Sequence, residues 1–312
     1  MGQRNARSFR YQRDRWRSGR QEFDSGFALR NVSYPPDGST PLPMALTVFN
    51  QVPMAIFAYS IQVILVLSVG MFLLLKLGER IGRKHLEWGA GKLKDTFGVV
   101  DGPIFALFGL LVAFTFSSAL TRFEGRRALI VHEANAIGTA YLRLDLLPPS
   151  DRDPLQGYFK KYVDSRIRTY ELIPDMNAVL DEYKRSQALQ SQIWQGALEG
   201  VAKTPNTLAG MQLIPALNEM IDITTSRTSA MQFHTPMVIF GMLMALSLIT
   251  SLLVGYQFSG LERKNRLHPI LFILTISITC YVILDMEYPR LGFIRMDAAD
   301  AILRDVRASF GP

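Results

Sequence analysis

The chain has 312 residues, enough for one or two domains, and carries a formal net charge of +7. Its apolar fraction of 48% does not by itself separate a soluble protein from a membrane protein. The single cysteine, Cys280, excludes an intramolecular disulfide. The distribution of charge is more informative, because charged residues are almost absent from four segments and dense between them.

Four apolar segments are predicted to cross a membrane, which takes about 20 mostly apolar residues per helix. They cover residues 53–77, 103–120, 236–258 and 269–285. A proline opens each segment, where its fixed φ suits the first turn of a helix and its missing N–H costs nothing. The shorter second and fourth segments also fit buried core helices, but four segments in two close pairs favour membrane spans.

The two ends of the chain are predicted to be tails. Residues 1–48 contain seven arginines and one acid within their first 20 positions, and we expect this segment to be disordered. Such a tail can contact anionic lipid or nucleic acid, serve as a transit-type peptide or simply be solvated, and a nucleic-acid partner is not expected. Residues 286–312 are assigned as a C-terminal tail.

Residues 121–235, between the second and third spans, are predicted to form a soluble helical bundle. The second spanning helix should continue without a break to Leu147, because apolar residues keep helical spacing up to Pro148. The last bundle helix should kink at Pro215 and run into the third span. Further helices are predicted over residues 155–173, 175–203 and 207–232. The predicted fold is an all-α membrane protein, with four transmembrane helices and a helical bundle inserted between the second and third.

Basic residues near the spans indicate the orientation. The connectors 78–102 and 259–267 hold eight lysines or arginines, whereas the opposite flanks hold six over longer segments. This count places the connectors in the cytoplasm, with both termini and the bundle outside, although the arginine-rich tail favours the reverse. The expected location is the bacterial inner membrane.

Motifs for enzyme chemistry are missing from the sequence. His132 and Glu133 begin like a zinc-protease motif, but Ala136 stands where the second histidine is required. Gly91-Lys92 is followed by Leu93, which does not fit a phosphate-binding loop. We therefore predict that the protein is not an enzyme and has neither a metal site nor a cofactor.

Two spanning helices carry rows of small residues at four-residue spacing, which allow close helix approach. These contacts can lie within one chain or between subunits. The rows are Gly109, Ala113 and Ser117 in the second span, and Ser247, Ser251 and Gly255 in the third.

Another face of the second span carries large apolar side chains. Such a stripe is typical of lipid-facing or core packing, but it can also form a hydrophobic constriction that gates a pore by dewetting. Its members, the pore-lining candidates, are Phe105, Phe108, Val112 and Phe116. Arg122, Arg126 and Arg127 follow at the end of this span and can form a basic ring in an oligomer, or simply anchor the helix at the interface.

A set of polar residues is predicted to tie the bundle together, because buried charges require partners. Glu133 can reach Arg126 two turns earlier or Arg227 on the last bundle helix. The predicted network comprises Glu133, Asn135, Arg143, Asp145, Arg166 and Arg227. Asp285 and Glu287, at the end of the fourth span, are expected to pair with Arg290 or with another helix end.

Several of these stretches resemble the bestrophin-like family of bacterial and plant membrane proteins. They are Phe114-Thr115-Phe116-Ser117 through Arg126-Arg127, Glu133-Ala134-Asn135-Ala136-Ile137-Gly138-Thr139, Tyr141-Leu142-Arg143-Leu144-Asp145-Leu146-Leu147-Pro148 and Tyr162-Val163-Asp164-Ser165-Arg166. The four-helix layout agrees over residues 53–295, and the arginine-rich N-terminus lies outside the pattern.

The resemblance implies kinship with true bestrophins, which are pentameric anion channels with an aromatic neck on their second helix. Phe105, Phe108 and Phe116 are residues of the matching type. The acidic calcium cluster of animal bestrophins has no visible counterpart in this sequence. True bestrophins also keep their helical domain in the cytosol, opposite to the orientation from the basic-residue count.

The predicted function is therefore a homo-oligomeric channel in the lipid bilayer that passes anions, with the second helix lining the pathway and the bundle forming a vestibule. The alternative is a non-conducting membrane scaffold or sensor that binds a partner through its helical domain.

Overall fold

The computed structural model describes residues 53–87, 94–173, 175–205, 207–259, 267–290 and 292–311, without the side chains of 53–59 and 94–99. All of them belong to one compact unit. The predicted N-terminal tail, residues 1–48, lies outside the described residues.

Eight α-helices and no β-strand occur in the described part of the chain, which confirms the all-α prediction. A 3-10 turn, Leu144–Leu146, follows the second helix. The helices are α1 (Pro53–Glu87), α2 (Lys94–Arg143), α3 (Pro149–Glu171), α4 (Met176–Lys203), α5 (Thr207–Gln232), α6 (Met237–Phe258), α7 (Leu267–Glu287) and α8 (Asp297–Ser309).

Among the described residues, four segments are long and apolar enough to cross a membrane, as predicted: α1, α2, the α5–α6 pair and α7. The polar helices α3 and α4 lie between α2 and α5 in the chain and pack on each other. α2 has 50 residues and is therefore about 75 Å long at 1.5 Å per residue. That is more than twice the hydrocarbon thickness of about 30 Å, so α2 extends well beyond a bilayer.

The structure differs from the sequence prediction at Pro103, which lies inside α2 rather than at its start. Spanning helices tolerate an internal proline because neighbouring elements stabilise the turn that loses a hydrogen bond. Here the preceding turn is held by Asp101, whose buried carboxylate accepts a hydrogen bond of 2.7 Å from Gln257 of α6. The other prolines lie at helix starts, where Pro53 begins α1, Pro236 is the N-cap of α6 and Pro269 is in the first turn of α7.

The predicted continuity of the last bundle helix with the third span is also wrong. α5 ends at Gln232, and four non-helical residues, 233–236, separate it from α6. Pro236 contributes to the break because proline disfavours the helical conformation of the residue before it. Pro215 lies within α5, which is continuous from Thr207 to Gln232.

The C-terminal segment is not a tail, because residues 297–309 form α8, which packs on α2 and α3. Ala299 and Leu303 are buried on its inner face. Beyond the helix, the ring of Phe310 stacks on Tyr141 of α2 with centroids 3.7 Å apart. An ion pair of 2.8 Å between Arg307 and Asp164 ties α8 to α3.

α1 and α6 pack closely through small residues. Ser247, Ser251 and Gly255 of α6 are all buried, and a Cβ built on Gly255 would overlap the carbonyl oxygen of Leu75 in α1. On the α1 side, a Cβ on Gly78 would overlap the backbone of α6. Gly255 and Gly78 therefore belong to a close contact within the chain.

A Gly255→Ala exchange should lower the free energy of unfolding by about 1–3 kcal/mol, because α1 must move to make room for the methyl group. The matched control is Gly125→Ala in α2, where an added Cβ meets nothing within 4 Å. There the better helix propensity of alanine should raise stability by up to about 1 kcal/mol. Thermal unfolding in detergent measures both, and a stabilised Gly255→Ala variant would contradict the close packing.

Candidate functional site

The exposed surface of α2 carries a line of small side chains as well as large apolar ones such as Leu107 and Phe114. α1 and α7 present large apolar side chains, including Leu65 and Val66 on α1 and Ile270 and Ile278 on α7. Large apolar side chains are favoured where a spanning helix contacts lipid. On α2, by contrast, one line of exposed residues consists of small or hydroxylic side chains: Ala106, Gly109, Ala113, Ser117 and Thr121.

Like the other spanning segments, α2 is mostly left uncovered by its own chain. An uncovered helix with a line of small residues outward is suited to close approach by another helix or to lining an open space. We call the line Ala106, Gly109, Ala113, Ser117 and Thr121 the small-residue face of α2.

The predicted stripe of pore-lining candidates lies mostly to the side of this face. Phe108 is only 7% exposed and packs in the core of its own chain. Phe105 and Val112 are half-buried, whereas Phe116 is exposed. In the single chain, then, Phe116 is the member of the stripe that remains available to a pathway or to another subunit.

Arg126 of the predicted basic ring is buried and binds helix ends instead. Its guanidinium donates to the carbonyl oxygens of Ala230 and Phe233, at 3.0 and 2.9 Å, at the end of α5. It also donates to the carbonyl of Glu287, at 3.0 Å, at the end of α7. Because the last carbonyls of a helix lack partners within it and carry partial negative charge, one arginine here caps two helices at once.

Arg122 joins the same place, which we call the helix junction and define as Arg122, Arg126, His234, Thr235 and Glu287. The Nε of Arg122 donates to the fully buried carboxylate of Glu287 at 2.9 Å, and its Nη2 contacts both Glu287 and Thr235. His234 lies 3.6 Å from the other carboxylate oxygen. The break between α5 and α6 is thus fixed to α2 and α7 by charged groups.

Arg127 is the exposed member of the predicted ring. Its guanidinium pairs with Glu124 on the same helix at 3.0 Å, and both side chains are about half exposed to solvent. Arg122 and Arg126 therefore make their contacts within their own chain, whereas Arg127 remains on the surface.

A second buried cluster lies farther along α2, around Glu133. The fully buried carboxylate of Glu133 accepts a hydrogen bond of 2.6 Å from the Nε of Arg166 on α3. Its other oxygen pairs with Arg227 on α5, while Arg126 lies elsewhere, in the helix junction. Burial disfavours the charge of Arg166, but the carboxylate of Glu133 outweighs that effect and raises the pKa of Arg166.

Tyr170 lies at the centre of this cluster. Its hydroxyl accepts a hydrogen bond of 2.7 Å from Arg166, and the guanidinium carbons of Arg227 and Arg290 lie 4.0 and 4.8 Å from its ring centroid. Burial raises the pKa of Tyr170, although the neighbouring cations act to lower it. The Tyr170 cluster is defined as Glu133, Arg166, Tyr170, Arg227, Arg290 and Asp300.

Arg290 reaches the cluster from a strained backbone conformation. Its φ is 102°, in a region that side chains other than glycine rarely adopt and that costs about 1–3 kcal/mol. Its guanidinium pairs with both carboxylate oxygens of Asp300 in α8, at 2.5 and 2.7 Å. This pair connects the segment after α7 with the C-terminal helix.

The two acids at the end of the fourth span do not pair with Arg290. Asp285 accepts a hydrogen bond of 2.8 Å from the backbone N–H of Ile294, and Glu287 pairs with Arg122 in the helix junction. Arg122 lies inside α2, but Glu287 also accepts a hydrogen bond from Thr235, just before α6, so the alternative expectation of a partner at another helix end holds for Glu287.

The remaining predicted network residues lie outside both clusters. Asn135 is exposed, and Asp145 lies in the 3-10 turn with an ion-pair partner, Arg152, at 4.0 Å. Arg143 donates to the carbonyl of Gln212 in α5 at 2.7 Å. Within the described ranges, no group of three histidine, cysteine, aspartate or glutamate side chains is placed to hold a metal ion.

A family model provides the decisive comparison. The model of the Bestrophin-like domain matches residues 60–300, which is most of the chain. The chain belongs to the bestrophin-like family. This family is of channel type, and the four apolar helices make this member a multi-pass membrane protein.

Solved structures show the same fold at low sequence identity. Three variants of a bacterial bestrophin homolog from Klebsiella pneumoniae match this bestrophin-like chain with TM-scores of 0.57, 0.57 and 0.58 and identities of 14, 15 and 14%. Each match covers 78% of this chain and 98, 98 and 99% of the other. No curated protein matches the sequence.

Some structurally important contacts of this bestrophin-like chain are not predicted from its sequence. The pair of Arg290 with Asp300 is missed because residues 286–312 are assigned as a tail, although apolar residues recur at helical spacing through Ala299, Leu303 and Val306. Tyr170 follows Arg166 by one helical turn, and that spacing is the available signal.

Proposed function

We propose that this bestrophin-like protein is a homo-oligomeric anion channel in which the small-residue face of α2 lines the pathway. The observation that carries the proposal is that face itself, a line of five exposed small or hydroxylic residues along a spanning helix. An exposed line of small and hydroxylic residues offers little apolar surface to lipid, but it suits a water-filled path or a tight helix contact.

An oligomer supplies what one chain lacks. A single chain has four spanning segments in its described part, and it leaves most of the apolar part of α2 uncovered. Several copies arranged with α2 inward would cover this face and enclose a path along it, and a closed ring satisfies every copy equally. The exposed apolar side chains to one side of it, Leu107 and Phe114, would then contact the neighbouring copy.

The anion preference rests on the kinship with true bestrophins that the sequence resemblance implies. Chloride is accordingly the expected permeant ion, with sodium or potassium the ions to be excluded.

Flux through liposomes that contain the purified protein tests the proposal. The Ala113→Phe exchange should lower chloride flux by about tenfold or more, because a bulky apolar ring on the pathway creates a constriction that dewets. The matched control is Ile278→Phe on α7, at a position of lipid type that is 53% exposed, which should leave flux unchanged.

Equal flux in both variants would show that the small-residue face does not line the path. Flux of cations in place of chloride would overturn the anion preference. Absence of any flux, together with stable binding of a partner protein to the helices between α2 and α6, would favour the scaffold or sensor instead.

A further inference from the structure

The Tyr170 cluster carries an excess of buried positive charge. Three arginines surround the tyrosine ring, with guanidinium carbons 5.3, 4.0 and 4.8 Å from its centroid for Arg166, Arg227 and Arg290. Two carboxylates, Glu133 and Asp300, oppose them. One positive charge therefore has no counter-charge within the cluster, and buried charge is costly unless it is paired.

The hydrogen-bonding groups left over in the cluster are all donors. The Nη2 of Arg227 and the Nε of Arg290 are buried and have no acceptor among the described residues. Arg227 is only 3% exposed, and the side chain of Arg290 only 10%. The hydroxyl of Tyr170 accepts from Arg166, which leaves its own proton available to donate. Unsatisfied donors beside an excess positive charge favour a negatively charged acceptor.

A cleft gives access to this place. Its volume is about 410 Å³, and Tyr170, Arg290 and Asp300 are among its lining residues. The other charged residues of its lining are paired at the rim, Arg295 with Asp297 at 3.0 Å and Arg304 with Glu171 at 3.4 Å. The uncompensated charge thus comes from the Tyr170 cluster and not from the rim.

We propose that the Tyr170 cluster binds a small monovalent anion of halide size where Tyr170 and Arg290 line the cleft. One excess positive charge matches one negative charge. The free donors at the cleft, the Nε of Arg290 and the hydroxyl of Tyr170, belong to two different groups. They therefore suit a spherical acceptor better than a carboxylate, which arginine usually binds through two donors of a single fork. This site is separate from the small-residue face of α2, and binding there does not require that the protein conduct ions.

The test uses the full chain in detergent, with chloride titrated against sulfate at constant ionic strength. Binding to the folded state should raise the midpoint of thermal unfolding in a saturable manner, because a ligand that binds only the native protein stabilises it by mass action. Bromide should act in the same way, and in crystals its anomalous scattering should give a peak at the cluster.

Two variants each remove one of the proposed donors to the anion. Arg290→Lys keeps a cation opposite Asp300 but lacks the Nε, and Tyr170→Phe keeps the ring but lacks the hydroxyl proton. Each should weaken chloride binding by about tenfold or more, since a hydrogen bond to a charged group contributes at least that much. Arg295→Gln, at the rim of the same cleft, is the control and should bind chloride as the original protein does.

The proposal would be overturned if the midpoint of thermal unfolding depended on ionic strength alone, or if all variants responded equally to chloride. Water would then be the partner of these donors. A bromide peak elsewhere with none at the cluster would also overturn the proposal. Should Arg290→Lys fail to fold, Tyr170→Phe decides the question by itself. If the protein binds chloride at this site but liposomes that contain it show no chloride flux, the proposed channel function is contradicted and the proposed anion site still holds.

Discussion

The Glu133→Gln exchange should lower the free energy of unfolding by about 3–5 kcal/mol, because removing one partner of a buried ion pair leaves uncompensated charge. Glu133 is fully buried, and it is the shared counter-ion of Arg166 and Arg227, which are 1% and 3% exposed. Glutamine has nearly the same shape, so the loss reports charge rather than packing. Thermal unfolding in detergent, together with the yield of folded protein, measures it.

The control for this prediction is Glu124→Gln on the same helix. Glu124 pairs with Arg127 at 3.0 Å, but its side chain is 55% exposed. An exposed ion pair contributes about 1 kcal/mol or less, so this variant should unfold nearly as the original protein does. Similar losses at positions 133 and 124 would contradict the buried double ion pair.

The second large effect is expected for Arg126→Met, which should lower the free energy of unfolding by about 3 kcal/mol or more, because buried carbonyls lose their donors. Methionine keeps much of the apolar stem but provides no N–H. The carbonyl oxygens of Ala230, Phe233 and Glu287 then lack the partner that caps α5 and α7. The variant should also lose chloride flux in liposomes, since these contacts hold the ends of α5 and α7 against α2.

Arg127→Met is the matched control for Arg126→Met, one position along the same helix. Its guanidinium is exposed and bonded only to the exposed Glu124 among the described residues. We expect a change of about 1 kcal/mol or less in stability and little change in flux. A larger loss at position 127 than at position 126 would contradict the capping role of Arg126.

The spanning helices could be predicted from the sequence because a bilayer imposes a simple requirement, about 20 consecutive apolar residues, that the chain displays four times. The start of α5 at Thr207 is predicted as observed, since turn residues precede it, whereas its separation from α6 is not predicted. The sequence prediction places Pro103 at a helix start because proline is favoured in the first turn of a helix. That rule is overridden where a contact such as Asp101 with Gln257 stabilises the turn.

The buried clusters were only partly predictable, and the reason is sequence distance. A charged residue within an apolar helical pattern indicates that a partner exists, and this places Glu133 in a network. Its partners Arg166 and Arg227 lie 33 and 94 residues away, and only the packing of α2, α3 and α5 selects them over Arg126. The double cap formed by Arg126 has no sequence signal, because backbone carbonyls are its acceptors.

The orientation of the protein in the membrane stays a prediction from the basic residues of its connectors, as does the role of its arginine-rich N-terminus. Neither affects the small-residue face of α2 on which the proposed function rests. That face depends only on which side chains of α2 remain exposed in one chain.

The subunit arrangement of the purified protein, imaged as single particles in a lipid nanodisc, tests the central claim most directly. We expect a closed ring of identical chains, with α2 nearest the axis and Ala113 and Ser117 facing the central path. A single chain in the nanodisc, or a ring with α2 at the lipid boundary and α1 or α7 at the axis, would contradict it.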